Sequence, residues 1–342
     1  MSETRFSGQH YTRYLLATCV TALIVLLASA CGGGGGDQGS GGDGGGPSGK
    51  MVIAIQPGLG YAPLITINEK GWLEKDLPNM DISFQQLSSG SAIRDGMISG
   101  DIQVGAGGIG PLLIGWDRGV DWKVLSPMLD AELWLNVDNE KFQSLEDFEP
   151  GADKIAMPAP DSIQSVILRK GAQEQLGDAR ALDTSIVSLA HPDGLQQLLS
   201  GQIQGHLTSP PFEFQEVDEG ARTILRSYDV FGQHTFNSVW VRQSYYEENQ
   251  EAMQVLYDNL ERAIELINDN PGEVAQILSE ASDGANSPEE YEGWLTKDVV
   301  NYTNEPQGFV NYAEFIKEIE MIEGVPECSD IMHESLGDLQ EC

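Results

Sequence analysis

The chain is short of positive charge. Against 53 Asp and Glu it carries 19 Lys and Arg, a formal net charge of -34 over 342 residues. A surface of that sign repels phosphate backbones, which excludes nucleic acid as a partner, and it offers no basic patch to anionic lipid. The acids run along helical stretches such as EENQEAMQVLYDNLERAIELINDNPGE (247–273) rather than in one tail. Spread in this way they mark solvated faces, fit a salt-rich habitat and make poor calcium sites. Cysteine is scarce too, with Cys19, Cys31, Cys328 and Cys342. None lies beside a His pair at zinc spacing, so neither metal nor cofactor is expected. The catalytic patterns GxSxG, HExxH and GxxxxGK[ST] are missing as well. Ser209 with His191 is the one nucleophile–base pair worth checking, and the chain is read as a non-enzyme.

What is present begins at the N-terminus. Arg5 and Arg13 precede Tyr14 to Ala30, which carries no charged residue and ends in the small residues Ala28, Ser29 and Ala30. A charged head, an apolar middle and a small-residue exit form the pattern of an export signal; an uncleaved anchor is the alternative on length alone. Cys31 favours the signal, because the segment resembles a bacterial lipobox, with Ala28 where Leu is commoner, and the thiol is then the lipid acceptor. Residues 32–49, GGGGGDQGSGGDGGGPSG, cannot bury a core or hold a helix. As a Gly-rich coil they span roughly 20–25 Å and form a tether between a membrane and a globular body. Cys328 and Cys342 read either as one disulfide closing a terminal loop or as two free thiols.

Beyond the tether, two segments repeat at one offset. Ser99-Gly100-x-Ile102-Gln103 falls on Ser200-Gly201-x-Ile203-Gln204, and Gly119 on Gly220, each 101 residues on. Each unit reads as an amphipathic helix ended by a left-handed Gly, a buried strand (IQVGAG, IQGHLT), a turn (GGIGP, SPPF) and another helix. That is a parallel α/β unit used twice, and ligands of such sheets bind at the carboxyl ends of the strands. MVIAIQPG and MDISFQQL are further strands. WKVLSPMLDAELWLNV (122–137) is expected to carry the chain from one lobe to the other and HTFNSVWVRQS (234–244) to return it, with the acidic helices from Glu247 on the first lobe.

The run from Gly60 to Ser126, with EKGWLEK, the GSA turn at Gly90-Ser91-Ala92 and SGDIQVG, together with the later TSPPF loop (208–212), resembles the nitrate/taurine/alkanesulfonate-type substrate-binding proteins of ABC importers. The resemblance covers most of residues 51–320. It implies an α/β, two-lobed type II periplasmic-binding-protein fold with a central ligand cleft. The implied layout is a lipoprotein signal at 1–30, Cys31 and the tether at 31–50, lobe 1 at 51–129 and 238–342, and lobe 2 at 130–237. The implied function is capture of a small organic or inorganic anion (sulfonate, nitrate, carboxylate or pyrimidine-like compound) and its delivery to a permease with its ATPase. The implied setting is a monomer lipid-anchored on the outer face of the cytoplasmic membrane, in a periplasm or at a cell surface. A ligand-sensing surface lipoprotein without transport fits the same residues. A pyrimidine-synthase-like enzyme lacks its cysteine-rich motif here.

Carried over by position, the resemblance places ligand contacts at Leu59, Gly60 and Tyr61, at Ser89, Gly90 and Ser91, at Gly107 and Gly108, at Ser162 and Ile163 after Asp161, at His191, at Ser209 and Pro210 after Thr208, and at Trp134 and Asn237. Ser89, Gly90 and Ser91 sit at a helix start, where unpaired N–H groups and the helix dipole favour an anion, or where serine simply caps. Tyr61 and Trp134 read as stacking platforms or as core. His191 reads as a loop residue with local hydrogen bonds or as a ligand contact. Arg94 and Lys123 are expected on outer surfaces, leaving the cleft without a cation, and Asp161 stands where the family more often has Gly.

Overall fold

A computed structural model describes residues 46–337 and 342. The export segment, Cys31 and the tether through residue 45 lie outside the described residues. Two sheets organise the body. The strands in chain order are β1 Gly49–Ile55, β2 Met80–Gln86, β3 Val104–Gly108, β4 Trp122–Ala131, β5 Trp134–Val137, β6 Ile155–Met157, β7 Ile186–Ser188, β8 Gly205–Leu207, β9 Arg222–Arg226, β10 Thr235–Arg242 and β11 Val300–Asn301. The first sheet runs β11-β4-β10-β3-β1-β2 and the second β7-β6-β8-β5-β9.

Apart from edge strand β11, the two sheets share one plan. In each, a central strand pairs in parallel with two neighbours: β1 with β2 and β3, β6 with β7 and β8. In each, an antiparallel strand donated by the crossing chain fills the next place, β10 in the first sheet and β5 in the second. The helix–strand repeat has a physical cause at its Gln. Gln103 Oε1 accepts from Val52 N at 3.0 Å, and Gln204 Oε1 accepts from Lys154 N at 2.8 Å. Each glutamine thus ties the incoming strand to the central one, while Ile102 and Ile203 are both buried beside it. Gly100 and Gly201, at φ 85° and 72°, take the left-handed turn that releases the chain from the preceding helix.

The chain crosses between sheets in two places. Only Glu132 and Leu133 separate β4 from β5, and residues 227–234 separate β9 from β10. The crossings are tied together: Leu133 N donates to Ser227 Oγ and Ser227 N donates to Leu133 O, both at 2.9 Å. The helix Gln250–Asp269 buries a stripe including Met253, Leu256, Leu260, Ala263 and Ile267 and packs on the helix Ala62–Lys70 and on β4. Its acids are left facing water, as the sequence pattern requires. Cys328 is bonded to Cys342 with Cα atoms 5.9 Å apart. Among the described residues no helix is long and apolar enough to cross a membrane, and no three His, Cys, Asp or Glu are grouped to hold a metal.

Candidate functional site

The carboxyl ends of β1, β3, β6 and β8 meet across a narrow cavity. Gln56 and Pro57 follow β1, Gly108 ends β3, Pro158 follows β6, and Ser209 lies two residues past β8. Phe236 and Asn237 enter from the start of β10, which runs antiparallel and so reaches the same edge. The cavity is only ≈ 20 Å³, room for about one water, and residues of both sheets wall it.

Four helices begin at this cavity. Gly90 opens Gly90–Ser99, Gly108 caps Ile109–Asp117, Ser162 caps Ile163–Leu176, and His191 opens His191–Leu199. Ser89 and Ser162 act as ordinary caps, accepting from Ala92 N and Ser165 N. The helix starts at Gly108 and Ala190 have no side-chain cap, which leaves first-turn N–H groups for an electron-rich ligand atom. Among the described residues no Lys or Arg lines the cavity.

Of the expected contacts, the structure brings together Tyr61, Gly90, Gly108, Ser162, Ile163, His191, Ser209 and Asn237. Leu59 lines a second, larger cavity of ≈ 440 Å³ that shares Gln56 and Pro57 and is walled by Pro211, Phe212 and the segment Leu278–Tyr291. Gly60 stands behind Asn237: a Cβ there would fall 2.2 Å from Asn237 Nδ2. Pro210, joined to Pro211 by a cis bond, offers its carbonyl to Leu59 N at 2.9 Å. Ser91 donates through its hydroxyl to Asp161. Trp134 does not line the cavity. Its indole N–H donates to Glu132 at 2.7 Å, its ring meets Phe214 edge-on, and the Arg226 guanidinium stacks 4.3 Å above it.

Arg94 is a correction. Expected outside, it is 7% exposed and donates from Nη1 to Asp161 Oδ2 at 2.6 Å, from a helix of the first sheet to a loop of the second. Burial raises the Asp161 carboxyl, but Ser91 and Arg94 outweigh it and hold the group below its ordinary value. Asp161 thus consumes the nearest guanidinium. His191 is also corrected, from loop to first residue of a helix.

His191 heads a buried polar chain. With the Glu216 carboxylate accepting from His206 Nδ1–H at 2.5 Å, His206 Nε2 is left to accept from His191 Nδ1–H at 3.2 Å. The same His191 nitrogen meets Thr208 Oγ1 at 2.9 Å, and its Nε2 accepts from Gln164 at 3.2 Å. Burial, then the neighbouring His206, push the His191 pKa well down, so its ring stays neutral. Asn136 completes the chain, donating to Glu216 Oε2 at 3.0 Å. Both His191 nitrogens are therefore committed, and none is left to activate Ser209.

Tyr61 is buried, and Gln56 donates to its hydroxyl. Burial pushes its pKa far up, and the neighbouring Asn237 and Gln56 amides oppose this, yet neither Asn237 amide atom reaches strict hydrogen-bond geometry with any partner. Asn237 is 0% exposed. It pairs with Gly108 at an irregularity where the register against β4 shifts on either side of it, a bulge of the kind that re-aims side chains.

Residues 44–279 match the NMT1-like family. The chain belongs to that family. No curated protein matches the sequence. The NMT1-like chain is similar in fold to the periplasmic aliphatic sulphonate binding protein of Escherichia coli, with 16% identity, a TM-score of 0.65 and coverage of 85% of this chain and 99% of that one. It is similar to the alkanesulfonate-binding protein of Xanthomonas axonopodis pv. citri bound to MOPS, at 16% identity and TM-score 0.67 over 85% and 98% of the two chains. The nitrate-binding protein of Synechocystis PCC 6803 gives 16%, 0.67, 84% and 86%. At such identities the likeness is one of fold, and that fold is the two-lobed periplasmic-binding-protein fold. In this NMT1-like protein the cavity residues Gln56, Pro57, Pro111, Pro158, Gln164 and Phe236 escaped the sequence reading. Gln56 and Pro57 carried a usable signal, because they directly follow the first strand.

Proposed function

We propose that this chain is an exported solute-binding protein that takes one small polar solute between its two sheets and hands it to the permease of an ABC importer. The observation that carries the reading is Asn237, a fully buried amide with both polar atoms unpaired, at a cavity where four helices start. Buried polar groups are normally paired, and a guest at the strand ends is the missing partner. The solute is neutral or singly charged, because no cation lines the cavity and Arg94 is held by Asp161. Residues 51–129 with 238–342 and residues 130–237 move as two halves about the Leu133–Ser227 crossing, and closure offers the permease a new surface. Cys31 carries lipid, the Gly-rich tether spaces a monomeric body from the outer face of the cytoplasmic membrane, and the site performs no chemistry. Native mass spectrometry of the purified chain tests the binding reading. A co-purified small molecule, lost on mild unfolding, supports it; a bare chain that no metabolite fraction loads contradicts it.

A further inference from the structure

We propose that the solute presents an N–H or O–H donor beside an acceptor, as an amide, urea or sulfonamide does, and that Asn237 selects for this pair against donor-free oxyanions. The inference rests on the solute-binding reading and narrows it. Asn237 offers one donor group and one acceptor, and this holds whichever way its amide is turned. Its place is fixed by the pairing of β10 with β3 and by the Gly60 backbone against Nδ2. Two neighbours have partners of their own: Gln56 donates to the Tyr61 oxygen, and Gln164 donates to His191. A donor-free oxyanion satisfies Nδ2 but presses lone pairs against Oδ1, leaving a buried acceptor unmade. A ligand with its own donor satisfies both atoms, while its acceptor meets the uncapped helix starts at Gly108 and Ala190. Beyond the helix starts, no Lys or Arg of the cavity lining adds to the attraction of a donor-free anion.

The test is calorimetry on the purified full chain with matched probes: methanesulfonamide against methanesulfonate, benzamide against benzoate, and urea against nitrate. At least one donor-bearing probe is expected to bind about 10-fold or more tighter than its donor-free partner. Asn237→Leu is expected to erase that preference while the unliganded melting temperature stays level or rises, because two orphaned atoms are gone. Asn237→Asp, equal in size but with two acceptors and no donor, is expected to widen the preference, because a donor-free oxyanion then meets lone pairs at both positions, and it keeps the test readable should the Leu variant fail to fold. Equal or tighter binding of donor-free probes, a preference that survives Asn237→Leu, or one that is lost in Asn237→Asp, overturns the inference and leaves solute binding standing. Binding by no probe of either kind overturns the inference and counts against the solute reading as well.

Discussion

Arg94 reaches across the cleft and donates to Asp161 at 2.6 Å, beside a second bond from Ser91 to the same carboxylate. One carboxylate from the second half is thus gripped by the start of a helix from the first. With the two-half motion proposed above, this contact belongs to the closed state.

Asp161→Asn keeps the size of the side chain and removes its charge. The substitution is expected to cost the closed state about 1–3 kcal/mol and to weaken solute binding about 10-fold or more, read by calorimetry. The acid dependence has a definite sign. The Asp161 pKa is depressed in the folded chain, so its contribution is complete above the ordinary carboxylate range and disappears as pH falls through the lower, folded value. Affinity lost only at strongly acid pH fits this; a variant that binds as tightly as the parent does not.

Gly110 faces the same loop. A Cβ there would stand 2.8 Å from Asp161 O and 3.1 Å from the Ser162 carbonyl carbon, both backbone atoms with little freedom to give. Gly110→Ala is expected to prop the halves apart, weakening solute binding by about 1–3 kcal/mol with a smaller change in the melting temperature of the unliganded chain. Small-angle scattering checks it, with a larger radius of gyration expected for the variant.

Two titrating groups sit at the crossing. His234, whose Nε2 meets Ser227 Oγ at 2.9 Å, is driven down to about 4 by burial. Asp130, accepting from Thr235 Oγ1 at 3.2 Å, is driven up to about 6, again mainly by burial. Between pH 4 and 6.5 the unfolded chain binds the His234 proton and the folded chain does not, so this group lowers stability on acidification. Between pH 3.8 and 6 the folded chain holds the Asp130 proton and the unfolded chain does not, so that group raises it. Each amounts to roughly 3 kcal/mol, and they largely cancel. His234→Gln is expected to make stability climb on acidification relative to the parent, and Asp130→Asn to make it fall. Urea midpoints at pH 4.5 and 7 give both slopes; parallel profiles for all three chains contradict the assignment.

The fold was legible because its signals are periodic and local. The repeat around Gln103 and Gln204 exposed two equal units, and the structure shows why Gln recurs: each one ties its strand to the central strand of its sheet. The site was legible only where it follows strand ends. Gly90, Gly108, Ser162 and Ser209 sit at helix starts or beyond strands, where position alone marks them. Arg94 was misplaced because its partner, Asp161, lies 67 residues away in the other half, and no local pattern carries that contact. Trp134 was drawn away from the cavity by Arg226 and Glu132, a competition that composition does not reveal.

The bond between Cys328 and Cys342 spans a sequence separation of 14. Closing a loop of that length stabilises a chain by about 3 kcal/mol. Reduction is expected to lower the urea midpoint accordingly, and Cys328→Ser to do the same without reductant. Identical midpoints with and without reductant, in a chain shown by mass to carry the bond, contradict it.

Closure around a guest is measured most directly by the distance between the halves. Ile98, 51% exposed on a helix of the first sheet, and Val217, 38% exposed on a helix of the second, take spin labels through Ile98→Cys and Val217→Cys. Pulsed electron–electron resonance then reads their separation in the emptied chain and after return of the molecule that co-purifies with it. The account predicts a broad or longer distribution that narrows to one shorter distance on loading, with Asn237→Leu remaining broad. A distribution that stays the same while the molecule demonstrably binds would contradict it.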